Sequence, residues 1–447
     1  MQRLAFGTDG IRGRVGEFPF TSEALQYIGS ALGHWMSERY GEPGRRVKVL
    51  IAGDTRESVN EIKNYLCSRM MAFPLDIVDA GVIPTPAVLT LIQRDPSFAC
   101  GVMISASHNP FHDNGIKLFD ATVGKLSSQD ETRILELFAY YTEIQEQGEP
   151  APVGTLTTWP DAVHAYIKHL LTIVPPMIGC GHKIVLDCAH GATYQAAPAI
   201  FRKLGAEVIV LHVEPNGKNI NDNAGALHPE ALQEAVIAHK TDIGFAFDGD
   251  GDRIVMVSAQ GVAKDGDDVL AVLLDLEEYA QEPVIVGTVM SNSGFDAYLK
   301  SRAKTLVRSA VGDKYVVAKL EELELLLGGE PSGHIVLKNY LSSGDGILVA
   351  LKVIQALQYS GKWRLDHVAK FPQLTINVPV NVKRDLKEAP YAGILQTYKD
   401  RVGAGRILVR YSGTEALLRV MVEGEDATAT SQIAQELAHD LQQALNS

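Results

Sequence analysis

Between Phe247 and Arg253 the chain sets Asp248, Asp250 and Asp252 at alternate positions, with Gly249 and Gly251 between them. Carboxylates this close repel one another, and the glycines add no side-chain packing. Such a segment makes physical sense where a cation collects the charges. The donors are hard oxygens with nothing soft nearby, which points to Mg²⁺ or Ca²⁺. An EF-hand loop would need glycine at its sixth position and glutamate at its twelfth. Counted from Asp248, those positions hold Arg253 and Ala259. Magnesium, which shares a few carboxylates with phosphate oxygens, fits better, and with it phosphoryl chemistry.

Three further clusters have a composition suited to that chemistry. Ser105-Ala106-Ser107-His108-Asn109-Pro110 puts a serine beside a histidine ahead of a turn-forming Asn-Pro, and Asn114-Gly115-Ile116-Lys117 follows. The serine reads as an exposed nucleophile or a phosphate carrier, against the competing reading of a plain turn capped by hydroxyls. Its neighbours exclude the G-x-S-x-G elbow of hydrolases. Gly328-Gly329-Glu330-Pro331-Ser332-Gly333-His334 groups a carboxylate, a hydroxyl and an imidazole on a glycine-rich loop, which suits recognition of a polyol. Arg410-Tyr411-Ser412-Gly413-Thr414-Glu415, with Arg419 beyond it, combines arginine, hydroxyls and free backbone N–H groups into a phosphate cradle.

The rest of the chain bounds these readings. Lys+Arg 41 against Asp+Glu 54 leaves a net charge of −13 over 447 residues, so no basic face invites nucleic acid or anionic lipid. A phosphorylated small molecule must then be drawn in by local basic groups, which the Arg410 cluster supplies. Cys67, Cys100, Cys180 and Cys188 form no CxxC pair and read as reduced thiols. The N-terminus lacks the apolar core of a signal peptide, and no run approaches the ~20 apolar residues of a membrane span. A cytoplasmic location is expected.

Short apolar strands alternating with amphipathic helices must position the clusters. Strands are expected at Val47–Ala52, Cys100–Ile104, Lys183–Asp187, Glu207–Val213, Asp242–Phe247, Ile254–Ser258 and Val284–Val289. Helices are expected at Ser58–Met71, after Pro84, at Asp268–Tyr279 and at Gly346–Tyr359. This alternation predicts α/β domains with mixed, mostly parallel sheets. The suspected metal loop and the Ser107 loop both follow strands, where open sheets bind ligands. After about Phe371 apolar and polar residues alternate from Leu374 to Val382, Pro379 marks an edge strand, and Ile433, Leu437, Leu441 and Leu445 form one helical stripe. A small C-terminal α+β domain follows. Domains are expected over 1–150, 151–253, 254–369 and 370–447.

In order along the whole chain, Phe6-Gly7-Thr8-Asp9-Gly10-Ile11-Arg12-Gly13, Ser105–Pro110, Asp248–Arg253, Gly329–His334 and Arg410–Glu415 resemble the α-D-phosphohexomutases. The opening motif and Val311-Gly312-Asp313-Lys314-Tyr315-Val316 are similar to the bacterial phosphoglucosamine branch of that family. The resemblance implies three related α/β domains and a C-terminal domain around a central cleft. It makes Ser107 the phosphorylated serine, primed by a hexose 1,6-bisphosphate or by autophosphorylation. Asp248, Asp250 and Asp252 then hold one Mg²⁺ per subunit together with an oxygen on Ser107. Arg12, Lys117 and Arg253 line the transfer site with His108 beside the serine; Glu330 and Ser332 hold sugar hydroxyls, and His334 assists proton transfer. Arg410, Ser412, Gly413, Thr414 and Arg419 grip the non-reacting phosphate. The implied reaction interconverts glucosamine 6-phosphate and glucosamine 1-phosphate through a 1,6-bisphosphate, toward UDP-N-acetylglucosamine and peptidoglycan. The alternative is a phosphomannomutase/phosphoglucomutase of the same mechanism. The implied partner is a hexosamine phosphate, with no nucleic acid and no membrane, and a homodimer is compatible with it. Three positions depart from the family pattern: Pro331 stands where the glucosamine branch has Gln, Tyr411 is not the common residue, and Ala416 replaces Pro.

Overall fold

The computed structural model describes residues 3–7, 9–145, 151–380, 382–403, 405–411 and 416–446. Its strands form four sheets. The first runs Ile11–Arg14, Asp113–Asp120, Phe98–Ile104, Val47–Gly53, Leu75–Val82, Thr155–Thr158, with Gly124–Lys125 paired to Asp113–Asp120. The pairings among Phe98–Ile104, Val47–Gly53, Leu75–Val82 and Thr155–Thr158 are parallel, and those at the Ile11–Arg14 end are antiparallel. Val47–Gly53 is apolar almost throughout because helices cover both faces of its sheet. The second sheet runs Ala263–Lys264, Ile254–Ser258, Ile243–Phe247, Lys183–Asp187, Glu207–Leu211, and the third Thr305–Ser309, Val284–Thr288, Leu327–Gly329, Ile335–Leu337. Both combine parallel and antiparallel pairs. One continuous apolar core joins the three units, from Leu50 and Phe119 through Phe245 and Phe247 to Leu348 and Ile354. The fourth sheet, Gln373–Pro379, Leu417–Glu423, Arg406–Tyr411, is antiparallel and packs with the helix Ala427–Asn446 around a core of its own.

Several expectations need adjustment. Thr155–Thr158 adds a parallel strand to the first sheet, so that unit extends past 150. Ile254–Ser258 folds back antiparallel on Ile243–Phe247, so the stretch to Lys264 belongs with the second sheet and not with a third domain starting at 254. Both follow from strands that return to the sheet they left, a long-range choice that no local pattern encodes. The helix expected over Asp268–Tyr279 is two, Gly266–Leu273 and Glu277–Ala280. Between them Asp275 turns aside to bond Arg302 at 2.8 Å. Pro379 does lie on an edge strand, where its missing N–H costs no ladder bond. Val382 lies beyond that strand and is exposed. No helix among the described residues is long and apolar enough to cross a membrane.

Candidate functional site

Loops from the first three units converge on one acidic centre. The segment after the strand Ile243–Phe247 carries Asp248, Asp250 and Asp252, all buried, with carboxylate oxygens within 4.8 Å of one another. The loop after Phe98–Ile104 brings Ser107, whose hydroxyl donates to Asp248 Oδ2 at 2.6 Å. Ser107 is buried at 1 % exposure rather than exposed, because the Asp248–Asp252 segment closes over it. A Cβ on Gly249 would come within 2.6 Å of the Ser107 carbonyl oxygen, so only glycine permits the approach. Asp248 Oδ1 accepts the N–H groups of Gly251 and Arg253 at 3.1 Å each.

Lys117, on the strand Asp113–Asp120, is buried and reaches Asp9 at 2.6 Å, Asp250 at 2.8 Å and Asp252 at 3.1 Å. Arg12 pairs with Asp9 at 2.9 Å. Arg253 Nε lies 3.9 Å from Asp252. His334 faces Asp252 through Nδ1 at 3.8 Å and Asp313 through Nε2 at 3.6 Å. Lys125 bonds both Asp313 and Asp9. Asp9, Lys117, Asp252, His334, Asp313 and Lys125 therefore form a closed circuit of polar contacts that ties the first unit to the second and third, with His334 Nε2 also accepting the Gly344 N–H at 3.0 Å.

The charge states follow from this packing. Burial and the neighbouring charges of Asp252 and Asp250 push the Asp248 carboxyl well above the ordinary range. For Asp252 burial acts the same way, but Lys117 and His334 outweigh it and hold the group well below that range. Burial opposes charge on Lys117 too, yet Asp250, Asp252 and Asp9 raise it well above normal, so it stays an ammonium. His334 is raised, the carboxylates of Asp252 and Asp313 overcoming its burial. His108 goes the other way, lowered to about 3 by burial and by the cations Arg253 and Arg12. It is a neutral imidazole with Nδ1 3.3 Å from Ser107 Oγ.

Asp250 Oδ1 and Asp252 Oδ1 are buried without a hydrogen-bond partner. Buried acceptors are rarely left so, and an oxygen-seeking cation among the three carboxylates would satisfy both. The donor set fits Mg²⁺.

The sugar-reading candidates lie beside this centre. Glu330 is buried and its Oε1 accepts the Gly312 N–H at 2.9 Å. Ser332, on the same loop, is exposed. The loop docks on the second sheet through the Ile254 N–H to Gly333 carbonyl bond of 3.1 Å. Arg410 and Arg419 sit apart, directly opposite each other on the C-terminal sheet. Ser412, Gly413 and Thr414 lie outside the described residues. Sequence reasoning gave no role to Asp9, Lys125, Asp313, Thr85, whose hydroxyl donates to Asp250, or Asn221, whose amide donates to the Ser107 carbonyl at 2.9 Å. Asp9 and Asp313 did stand inside the two motifs, Phe6–Gly13 and Val311–Val316, that are similar to the phosphoglucosamine branch. That was the available signal.

Models of the four phosphoglucomutase/phosphomannomutase domains match the chain in order: alpha/beta/alpha domain I at residues 3–145, domain II at 164–261, domain III at 265–374 and the C-terminal domain at 376–440. The chain is 42% identical to the phosphoglucosamine mutase of Pseudomonas putida strain KT2440, over 98% of both chains. It is 43% identical to that of Thioalkalivibrio sulfidiphilus, again over 98% of each. Among solved structures, a phosphoglucomutase/phosphomannomutase family protein from Burkholderia thailandensis superposes with a TM-score of 0.78 at 22% identity, covering 98% of this chain and 97% of that one. Aspergillus fumigatus N-acetylphosphoglucosamine mutase, solved in complex with GlcNAc-6P and magnesium, gives a TM-score of 0.67 at 16% identity over 99% and 96%.

Proposed function

The chain belongs to the phosphoglucomutase/phosphomannomutase family, and from that premise we propose that it is an isomerase interconverting glucosamine 6-phosphate and glucosamine 1-phosphate, with Ser107 carrying the phosphoryl group. The observation that carries this reading is the Ser107 hydroxyl held 2.6 Å from Asp248 within a buried triad of carboxylates. The glucosamine substrate is taken from the near-full-length phosphoglucosamine mutase relatives.

In the first half-reaction the sugar 1-hydroxyl attacks phosphorus and the P–Oγ bond of phospho-Ser107 breaks. The resulting 1,6-bisphosphate turns over in the cleft, and Ser107 Oγ then attacks the 6-phosphoryl group. Each transfer makes one P–O bond, breaks one, and moves one proton between a sugar hydroxyl and Oγ. Lys117, held as an ammonium by three carboxylates, stabilises charge on the transferring oxygens, as do Arg12 and Arg253. Neutral His108, 3.3 Å from Oγ, accepts the serine proton when Ser107 attacks. His334 is assigned to the sugar's proton, Glu330 and Ser332 to its hydroxyls. Asp248, Asp250 and Asp252, with an oxygen on Ser107, would hold Mg²⁺, which would supply charge neutralisation for the transferring group. Arg410 and Arg419, with Ser412, Gly413 and Thr414, hold the other phosphate. A cytoplasmic location belongs to this reading, and a homodimer is compatible with it; native mass checks the latter.

Intact mass of the purified protein should reveal one phosphoryl group, absent from Ser107→Ala, which should also lose turnover while remaining folded. The value of kcat/KM for glucosamine phosphates should exceed that for glucose or mannose phosphates by at least ~10-fold, about 1.4 kcal/mol. Equal values would favour a phosphomannomutase/phosphoglucomutase instead.

A further inference from the structure

We propose that Arg56, which touches neither metal nor sugar, is a positioning residue that clamps the Ser107 loop in the turn from which Oγ reaches the acidic centre. This rests on the phosphoserine reading above. The Arg56 side chain is fully buried, and all five of its N–H donors are used. Nε donates to Asp54 Oδ2 at 2.9 Å. Nη2 donates to the carbonyls of Ser107 at 3.0 Å and Asn109 at 2.8 Å. Nη1 donates to the carbonyls of Pro110 and of Asp113, the latter at 3.1 Å. Four of the five acceptors are thus backbone oxygens between Ser107 and Asp113, three in the loop and one at the start of the strand that follows it.

That loop needs holding. Ser107 has φ 53°, the left-handed region that a residue with a Cβ avoids. Both of its backbone polar groups are committed. Its N–H donates to Ser105 Oγ at 2.9 Å, and that hydroxyl donates to Asp54 Oδ2 at 2.7 Å. Its carbonyl takes Arg56 from one side and Asn221 Nδ2, at 2.9 Å, from the second unit. Convergent carbonyls are all acceptors, so only a donor-rich group can fill the space among them. A planar guanidinium spreads five donors over that space, whereas an ammonium offers three from one point. Asp54 supplies the counter-charge. The clamp fixes where Oγ points before and after each transfer, so the serine is oriented by backbone geometry and not by its substrate.

The test compares parent, Arg56→Ala and Arg56→Lys. The readouts are phosphorylation of Ser107 by glucose 1,6-bisphosphate, followed by intact mass, and steady-state kinetics with glucosamine 6-phosphate. Both variants should lose roughly 100-fold in phosphorylation rate and kcat, with KM within about 2-fold of parent. Millimolar guanidinium should restore at least ~10-fold to Arg56→Ala, while ammonium restores nothing. Parent-like kcat in Arg56→Lys, or no rescue of a folded Arg56→Ala, overturns the clamp. Should Arg56→Ala fail to fold, Ser105→Ala removes the acceptor of the Ser107 N–H and the hydroxyl that Asp54 accepts; an unchanged phosphorylation rate there also overturns it. A parent that accepts no phosphoryl group on Ser107 overturns the proposed reaction and the clamp with it, whereas a parent that does, beside equal variants, overturns the clamp alone.

Discussion

Lys117 stands among three carboxylates, 2.6 Å from Asp9, 2.8 Å from Asp250 and 3.1 Å from Asp252. An ammonium there has two effects of opposite sign. In the proposed reaction it would compete with a divalent cation for Asp250 and Asp252, and it would add positive charge beside the transferring phosphoryl oxygens. Lys117→Met keeps the length of the side chain and removes the charge. It should raise Mg²⁺ affinity while lowering kcat by ~10²–10³-fold, the cost typical of losing one preorganised donor. Calorimetric titration and steady-state rates on the same protein separate the two effects. If metal affinity fell along with the rate, Lys117 would instead be holding the aspartates in place. Groups contiguous in the chain, Asp248 to Asp252 and Ser105 to Pro110, are legible in the sequence because their spacing is itself the signal. The bond from Lys125 to Asp313 joins residues 188 positions apart and leaves no local trace. The burial of Ser107 is equally invisible there, since the cover comes from another sheet.

At the next scale, the strands Arg406–Tyr411 and Leu417–Glu423 set Arg410 directly opposite Arg419. Burial and the Arg419 charge both lower the pKa of Arg410. Like charges in register cost a sheet roughly 0.2–1 kcal/mol. Arg410→Ala should therefore raise the thermal stability of the ligand-free protein slightly. It should also raise KM ~10–100-fold, through loss of a charge-assisted phosphate contact worth roughly 1.5–3 kcal/mol. A collapse of kcat at unchanged KM would move Arg410 to the chemical step. Asp345 makes a pH prediction. It caps the helix Gly346–Ser360 by accepting the Leu348 N–H at 2.9 Å, and it also takes the Tyr166 hydroxyl at 2.8 Å. Burial pushes its carboxyl up to about 6 from 3.8. Between those values the folded protein binds more protons than the unfolded chain, so stability falls as pH rises through the window and levels off above it. Asp345→Asn keeps the capping acceptor and removes the charge. Urea midpoints from pH 4 to 7 should show the parent losing about 3 kcal/mol relative to the variant, and parallel curves would mean that Asp345 ionises freely in the fold. The long apolar strands and the main helices were legible from their periodicity. Two-residue strands such as Gly124–Lys125 and Ala263–Lys264 are too short to carry a period. The break between Gly266–Leu273 and Glu277–Ala280 is set by side chains from elsewhere.

Across the whole molecule, three units share one core while the C-terminal domain keeps its own. Four domains and their order could be read from pattern changes. Which sheet each connecting strand rejoins could not, because register and partner are decided by tertiary packing. The C-terminal domain meets the third unit through a small set of polar contacts near the crossing of the chain. Glu423, at 0 % exposure, accepts the Ser293 N–H at 2.7 Å and pairs with Arg406 at 3.2 Å, while Arg406 donates to the carbonyls of Val289 and Ser291 at 2.6 Å each. Asn292 exchanges bonds with the Phe371 backbone at 2.9 and 3.0 Å, and Lys370 reaches Asp265 at 2.6 Å. A domain with a separate core, held by polar groups at one edge, pivots there more readily than it detaches. The proposed reaction needs such a joint, loose enough to let the bisphosphate turn and closed enough to keep it. Glu423→Ala leaves the half-buried Arg406 without its carboxylate and the Ser293 N–H without its acceptor; a loss of only about 1.4 kcal/mol at this joint shifts a closing equilibrium 10-fold. Bisphosphate should then escape in mid-reaction and leave enzyme without its phosphoryl group. Activity of the variant should decay by at least ~10-fold unless a hexose 1,6-bisphosphate is supplied, and recover to within about 3-fold of parent when it is. Glu423→Gln, which keeps an acceptor for Ser293, should leak less. Released bisphosphate, quantified in the medium, is the direct readout. A Glu423→Ala enzyme that releases none and needs none added would mean that retention depends on the arginine grip on the phosphate and not on this latch.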